Sequence, residues 1–211
     1  MTITDVRTLV RRDMKDEDAS AYRWTDAELD RHIQHAVREL GLASPLEATT
    51  TPTTTAGSRD LSLASVTDLV RVEAVEYPID KYPSVFVPFS VWAGTLTMLV
   101  DAAPAGVESV RLYYGKLHTL DGGTSTLPNH VEDTVVLGAT AYAALEWSSY
   151  ATNRVNVGGP ETWKHYLAWG NERLDMFQRA VGRLATRNAV RTRQLYSAAI
   201  PAPSQSTDWG P

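Results

Sequence analysis

His32 and His35 lie three residues apart, a spacing that puts two imidazoles on one side of a helix, where they can share a divalent metal. No HExxH-type carboxylate accompanies them, and the helical pattern around them places both on the polar side, so a solvated helix face accounts for them. His118, His130 and His165 stand singly. Asp16, Glu17 and Asp18 are hard-cation ligands by type, but they are consecutive and lack the alternating spacing of a calcium loop. A solvated turn is the reading for that run. The chain has no G-x-S-x-G elbow, no P-loop and no G-x-G-x-x-G. Gly122-Gly123 and Gly158-Gly159 read as loop hinges. Neither a catalytic group, nor a metal, nor a cofactor is expected, and an enzyme is the weakest reading.

The remaining residues with a binding character sit at the C-terminal end. From Met176 to Thr207 there is no Asp or Glu, while Arg179, Arg183, Arg187, Arg191 and Arg193 all fall there. Arginine pairs carboxylates and phosphates in two-pronged fashion. Beyond them come Leu195, Tyr196, Ile200 and Trp209, spaced by Pro201 and Pro203, which favour an extended chain. Trp147, Trp163 and Trp169 fall inside helical patterns and read as core filling.

Four helical patterns and one β-rich stretch must position these groups. Thr4 is a possible cap for a helix to Met14, with Val6, Leu9, Val10 and Met14 on one face. A second helix starts at Thr25, whose hydroxyl and Glu28 form a capping box, with Trp24 and Leu29 placed as a hydrophobic staple. Leu29, Ile33, Val37 and Leu40 keep its apolar spacing and Gly41 reads as its stop.

From Pro45 to about Thr119 the pattern turns to strand. Six of the seven residues from Thr49 to Thr55 are threonine, whose β-branching suits a strand, and Pro52 confines that strand to an edge. Further strands are expected at Asp60 to Leu63, Leu69 to Glu76, Val85 to Trp92, Leu96 to Val100 and Ser109 to Tyr114, with a hairpin around Ala93-Gly94.

Helix returns from Pro128 to about Tyr150, with Val131, Val135, Gly138, Tyr142, Leu145 and Ser149 in four-three steps. It resumes after Pro160, with Trp163, Leu167, Gly170, Leu174, Phe177, Val181 and Leu184 in the same steps, so the two form a helical hairpin. The expected fold is α+β: N-terminal helices (1–44), an inserted antiparallel β lobe (45–120), a C-terminal helical hairpin completing a four-helix core (121–186) and an extended basic arm (187–211).

The 211 residues, 43% hydrophobic and 21% charged, suffice for a core domain carrying a lobe. No run of 18 apolar residues predicts a membrane span, and Met1 to Arg7 has no apolar region of a signal peptide. The absence of cysteine fits folding in a reducing cytosol. A formal charge of −5 argues against a surface that tracks nucleic acid throughout. No pairing of helices suggests a helix-turn-helix, so a DNA-binding regulator is the lesser alternative.

The stretches Asp5 to Asp13, Tyr22 to Ile33 and Ala36 to Leu40 resemble the start of tailed-phage head-to-tail adaptor (connector) proteins. They share with that family the pattern W-T-D-x-E-L-x-x-x-I-x-x-A-x-x-E-L. Arg71 to Pro78, Ala141 to Leu145 and Asn188 to Arg193 are similar to later segments of siphophage members. The β insertion is where the chain departs from compact adaptors. The resemblance implies a structural virion protein at the head-tail junction, made and assembled in the host bacterial cytoplasm. It implies a twelvefold ring of neighbouring adaptor subunits docked beneath the portal protein, with the next neck or tail-tube protein below. Genomic DNA would pass through the lumen without sequence recognition. Its C-terminal segment, here Arg187, Arg191, Arg193, Leu195, Tyr196, Ile200 and Trp209, would be the portal-binding arm. A tail-completion or stopper protein of the neck is the alternative within virion proteins.

Overall fold

A computed structural model describes residues 1–151, 159 and 161–193, with side chains to residue 187. It forms two compact units, a helical one from Met1–Leu46 with Leu117–Ala185 and a second, β-rich one from Glu47–Lys116 with Thr186–Pro211.

Helix α1 spans Ile3–Met14 and α2 spans Asp26–Ala43. The α1 cap is Thr2 rather than Thr4, because Asp5 stands at the third helical position from Thr2 and closes a capping box, whereas Thr4 has Arg7 there. Thr25 caps α2 as its spacing predicts, accepting from the Glu28 N–H while the Glu28 carboxylate accepts from the Thr25 N–H at 2.7 Å. Thr25→Ala is expected to cost about 1 kcal/mol in chemical denaturation. An unchanged midpoint would mean that the cap does not hold the helix start. Gly41 does not end α2, which continues to Ala43. A Cβ at Gly41 would come within 3.2 Å of Leu117 and 3.3 Å of the His118 nitrogen, so glycine serves close approach there.

In the β unit, β1 (Leu46–Thr50), β6 (Arg111–Lys116) and β3 (Leu69–Glu76) form one sheet in the order β1-β6-β3. The second sheet has the order β2-β5-β4, from β2 (Asp60–Ser62), β5 (Thr95–Met98) and β4 (Phe89–Trp92). All the pairings of β3 with β6 and of β5 with β2 and β4 are antiparallel. The strand at the threonine run comes earlier than expected, ending at Thr50, while Thr53 bridges Ser109 and the Pro52 carbonyl accepts from Val110. As proline requires, this is an edge of its sheet. The strand expected over Val85 to Trp92 is two pieces. Val85 accepts from Tyr77, just past β3, Val87 donates to Val75 of β3, and Pro88, having no N–H, marks the switch before β4 joins β5. Ala93 and Gly94 make the β4–β5 turn, both at positive φ (49° and 74°), as a tight hairpin turn demands. Leu61, Leu63, Val75, Leu96, Met98, Val110 and Leu112 fill the core of this unit.

A short 3₁₀ turn at Asn129–Val131 leads into α3, Glu132–Ala151, which is buried on several sides and so forms the centre of the helical unit. Small residues make that possible: Gly138, Ala139, Thr140, Ala141, Ala143 and Ala144 are all buried. Helix α4, Thr162–Arg193, packs one side against this core. Its expected seam is present at Gly170, Leu174, Phe177, Val181 and Leu184, while Leu167 is exposed. The helix also runs seven residues past the boundary assigned to it, so residues 187–193 are helical rather than extended. Nothing from Arg187 to Arg193 breaks a helix: the segment has neither proline nor glycine.

Candidate functional site

The helical unit ends in the outer half of α4, and Phe177 is what seats that half. Its ring is fully buried and fills the notch over Gly138 and Ala36; a Cβ at Gly138 would stand 2.8 Å from the ring. About two turns toward the N-terminus, Gly170 fits against Leu145 and Ala144 in the same way. Trp169 carries Arg173 over its ring, 4.4 Å from the centroid, and Arg173 reaches Asp13 of α1 at 2.9 Å. Trp147 lies 5.2 Å from Trp24 and 6.3 Å from Tyr166. Trp147 and Trp169 are thus partly buried packing residues, as their spacing predicts, whereas Trp163 is half-buried and lies outside the core cluster.

With α4 held along this line, Arg179, Arg183 and Arg187 point to solvent. Arg179 is tied to Asp175 at 2.6 Å, both side chains well exposed. Leu137, Met176 and Ala180 form an apolar floor beside Arg179, Arg183 and Glu172 in a groove of about 670 Å³. Of the arm residues expected to bind, Arg187 is exposed near the end of this face. Arg191 and Arg193 lie in α4, their side chains outside the described residues. Leu195, Tyr196, Ile200 and Trp209 lie outside the described residues, as do the expected hinge at Gly158 and the helix-starting Pro160.

Two polar groups differ from expectation. His32 is buried, not solvated: its Nε2 lies 2.5 Å from a Glu146 oxygen on α3, whose other oxygen accepts from Arg31. His35 does not converge with it and instead stacks on Tyr142, ring centroids 4.2 Å apart. Asp16, expected in a solvated turn, is buried and paired with Arg11 at 2.6 Å, and it also accepts from the Arg23 N–H at 2.8 Å. Arg11 donates further to the Trp24 carbonyl at 2.9 Å and to Asp26 at 2.8 Å, so this pair fastens the α1–α2 connection rather than binding a cation. The sequence offered no signal for the His32–Glu146 contact, whose partners are 114 residues apart.

Burial holds the His32 imidazole below the usual histidine range, although its hydrogen bond to Glu146 pushes the other way. Burial raises Glu146, but its bonds to His32 and Arg31 outweigh that and bring it below the usual range. The neutral imidazole therefore donates to a carboxylate. A lowered native pKa means that the unfolded chain takes up the proton first. Stability from His32 is complete above the unfolded value, about 6.5, and is lost as the pH falls from there toward the native value. The thermal midpoint is expected to drop between neutral pH and pH about 5.5, and His32→Gln is expected to flatten that drop. Equal slopes in the two proteins would contradict it.

The β unit has its own buried ion. Glu76 accepts from Tyr113 at 2.7 Å and from Arg111 at 3.0 Å, and Arg111 also reaches Asp80 at 3.0 Å. These bonds satisfy a carboxylate that is almost wholly removed from water. By contrast Tyr82 and Trp92 are exposed, Trp92 at the β4–β5 turn.

The architecture is that of an α+β protein in which α1, α2 and α4 pack around α3 and the β lobe is inserted in the chain between α2 and α3. The model of the SU10 adaptor protein family matches residues 1–202, and the chain belongs to that family. No curated protein matches it. Among solved structures, a chain from the neck of an empty GTA particle, computed with C6 symmetry, is 14% identical. The match covers 80% of this chain and 88% of that one, with a TM-score of 0.29, a likeness too slight to carry weight.

Proposed function

We propose that this chain is a structural head-to-tail adaptor of a tailed phage. Copies of it form a twelvefold ring beneath the portal protein, link the head to the next neck or tail-tube protein and continue the DNA channel. Its role is mechanical rather than catalytic, and its place is the neck of the virion, after synthesis and assembly in the host bacterial cytoplasm. The observation that carries this reading is membership of an adaptor family over residues 1–202, a match that includes the β lobe and most of the basic C-terminal segment.

On this reading the helical body, centred on α3, is the rigid part of each subunit. The segment from Arg187 onward is the portal-binding arm, rooted at Arg187, with Arg191 and Arg193 facing acidic groups of the portal. Leu195, Tyr196, Ile200 and Trp209 then serve as its apolar anchors. Proline-held extension lowers the entropy lost when such an arm docks. The free protein is expected to be monomeric and to assemble on the portal as a template. Mixing the purified protein with portal rings tests this: it should sediment with the rings at a fixed stoichiometry. A protein that stays at the monomer position with portal in excess contradicts the proposal.

A further inference from the structure

The outer side of α4 carries a regular array of cations, of which Arg179 alone is paired with a carboxylate among the described residues. Five of the chain's 20 basic residues and none of its 25 acidic ones lie between Met176 and Thr207. The remainder of the chain thus has a formal charge of −10, while this stretch carries five positive charges with no acidic residue among them. Arg179, Arg183 and Arg187 follow one another every four residues, a rise of about 6 Å per step along the helix. They drift only about 40° around the axis at each step, and so stay on one face. All three are exposed, while the inward side is held by Phe177, Val181 and Leu184.

Met176 and Ala180 put an apolar floor beside Arg179, and past them the exposed residues of this side are polar. Gln178, Gly182 and Thr186 are exposed between the arginines. Arginine, glutamine and threonine side chains are phosphate-contacting types, and Gly182 leaves the helix surface low enough for close approach. Arg179 is compensated by Asp175, the last carboxylate of α4, and Glu172 lies in the same groove as Arg179 and Arg183. Past that point no carboxylate among the described residues pairs with Arg183 or Arg187, so their charge is available to a partner.

We infer that this face, centred on Arg183 and Arg187 with Arg179 at its inner end, binds the phosphate backbone of duplex DNA. A protein partner would call for an apolar centre with a few dominant anchors. The apolar floor of Leu137, Met176 and Ala180 is confined to the inner end of the face, and past it the face presents evenly spaced cations separated by small polar residues, which match a polyanion of uniform linear charge. The binding is sequence-independent, since nothing on the face reaches for base edges in a fixed pattern. The inference stands on α4 alone and does not depend on the adaptor reading.

The test uses the full-length protein and a short labelled duplex of mixed sequence, with no portal present, followed by fluorescence anisotropy across a low-salt series. The wild type is expected to bind, with log K falling linearly against log salt. Arg183→Gln/Arg187→Gln is expected to bind about tenfold more weakly and to lower the salt slope by about two, since each phosphate contact contributes about 0.9. Arg183→Lys/Arg187→Lys should keep most of the slope. Both positions are exposed, so circular dichroism should show the same helix content in all three proteins. A double glutamine variant that binds as the wild type does would overturn the inference. So would a wild type that ignores duplex DNA, and one that prefers a poly-glutamate peptide would identify the partner as an acidic protein instead.

Discussion

Phe177→Ala is expected to cost about 3–5 kcal/mol of stability, the largest loss from any single truncation in the helical unit. Phe177 heads the fully buried side chains by volume, and it is the contact by which the middle of α4 enters the core. The ring fills space that exists because position 138 has no side chain, its edge standing 2.8 Å from where a Cβ would be. Gly138→Ala should therefore destabilise the wild type by about 1–3 kcal/mol through overpacking. In the Phe177→Ala background the same methyl group enters vacated space, so its cost should fall and the two changes should be non-additive. Guanidinium denaturation of the four proteins measures the coupling. A loss below about 1 kcal/mol for Phe177→Ala would show that α4 is not seated by this residue.

The second large effect concerns function with stability held constant. Truncation after Thr186 keeps Phe177, Val181 and Leu184, the last apolar residues that α4 gives to the core among the described side chains. The thermal transition should stay within the small range of a surface change, about 0.5 kcal/mol. Co-sedimentation with portal rings should be lost, because the proposed arm is gone. A truncated protein that still binds the portal as the full chain does would assign docking to the helical body or the β lobe. Neither outcome bears on Arg183, which the truncation retains.

Local signals in the sequence were enough to locate most of the helical unit. The α2 start was legible because a capping box is written in four consecutive residues, Thr25 to Glu28. The same rule applied to Thr2 and Asp5 would have placed the α1 cap correctly. The α4 seam was legible because a long helix repeats its buried side many times, and one exposed position, Leu167, does not disturb the pattern. Gly41 was misread because a glycine that ends a helix and one that admits a neighbour look alike until Leu117 and His118 are placed beside it.

Contacts between distant segments were not legible. His32 looked solvated because its helix spacing put it beside the polar residues, while Glu146, its partner, comes from another helix. Asp16 looked like part of a charge run. Its burial depends on Lys15 taking a left-handed conformation (φ 55°), which carries the chain back toward Arg11. In the β unit, strand existence followed composition, but the change of sheet at Pro88 depends on which neighbours are available on either side. The arginine face of α4 was visible as composition. Its exposure and the extension of α4 through Arg193 became apparent only with the helix in place.

The central claim is that this chain is the ring between portal and tail. A reconstruction of the particle's neck without imposed symmetry tests it most directly. The account predicts twelve copies of the chain in a closed ring directly beneath the portal, with the segment beyond Arg187 reaching up onto it. One copy, six copies, or a neck that does not contain the chain would contradict it.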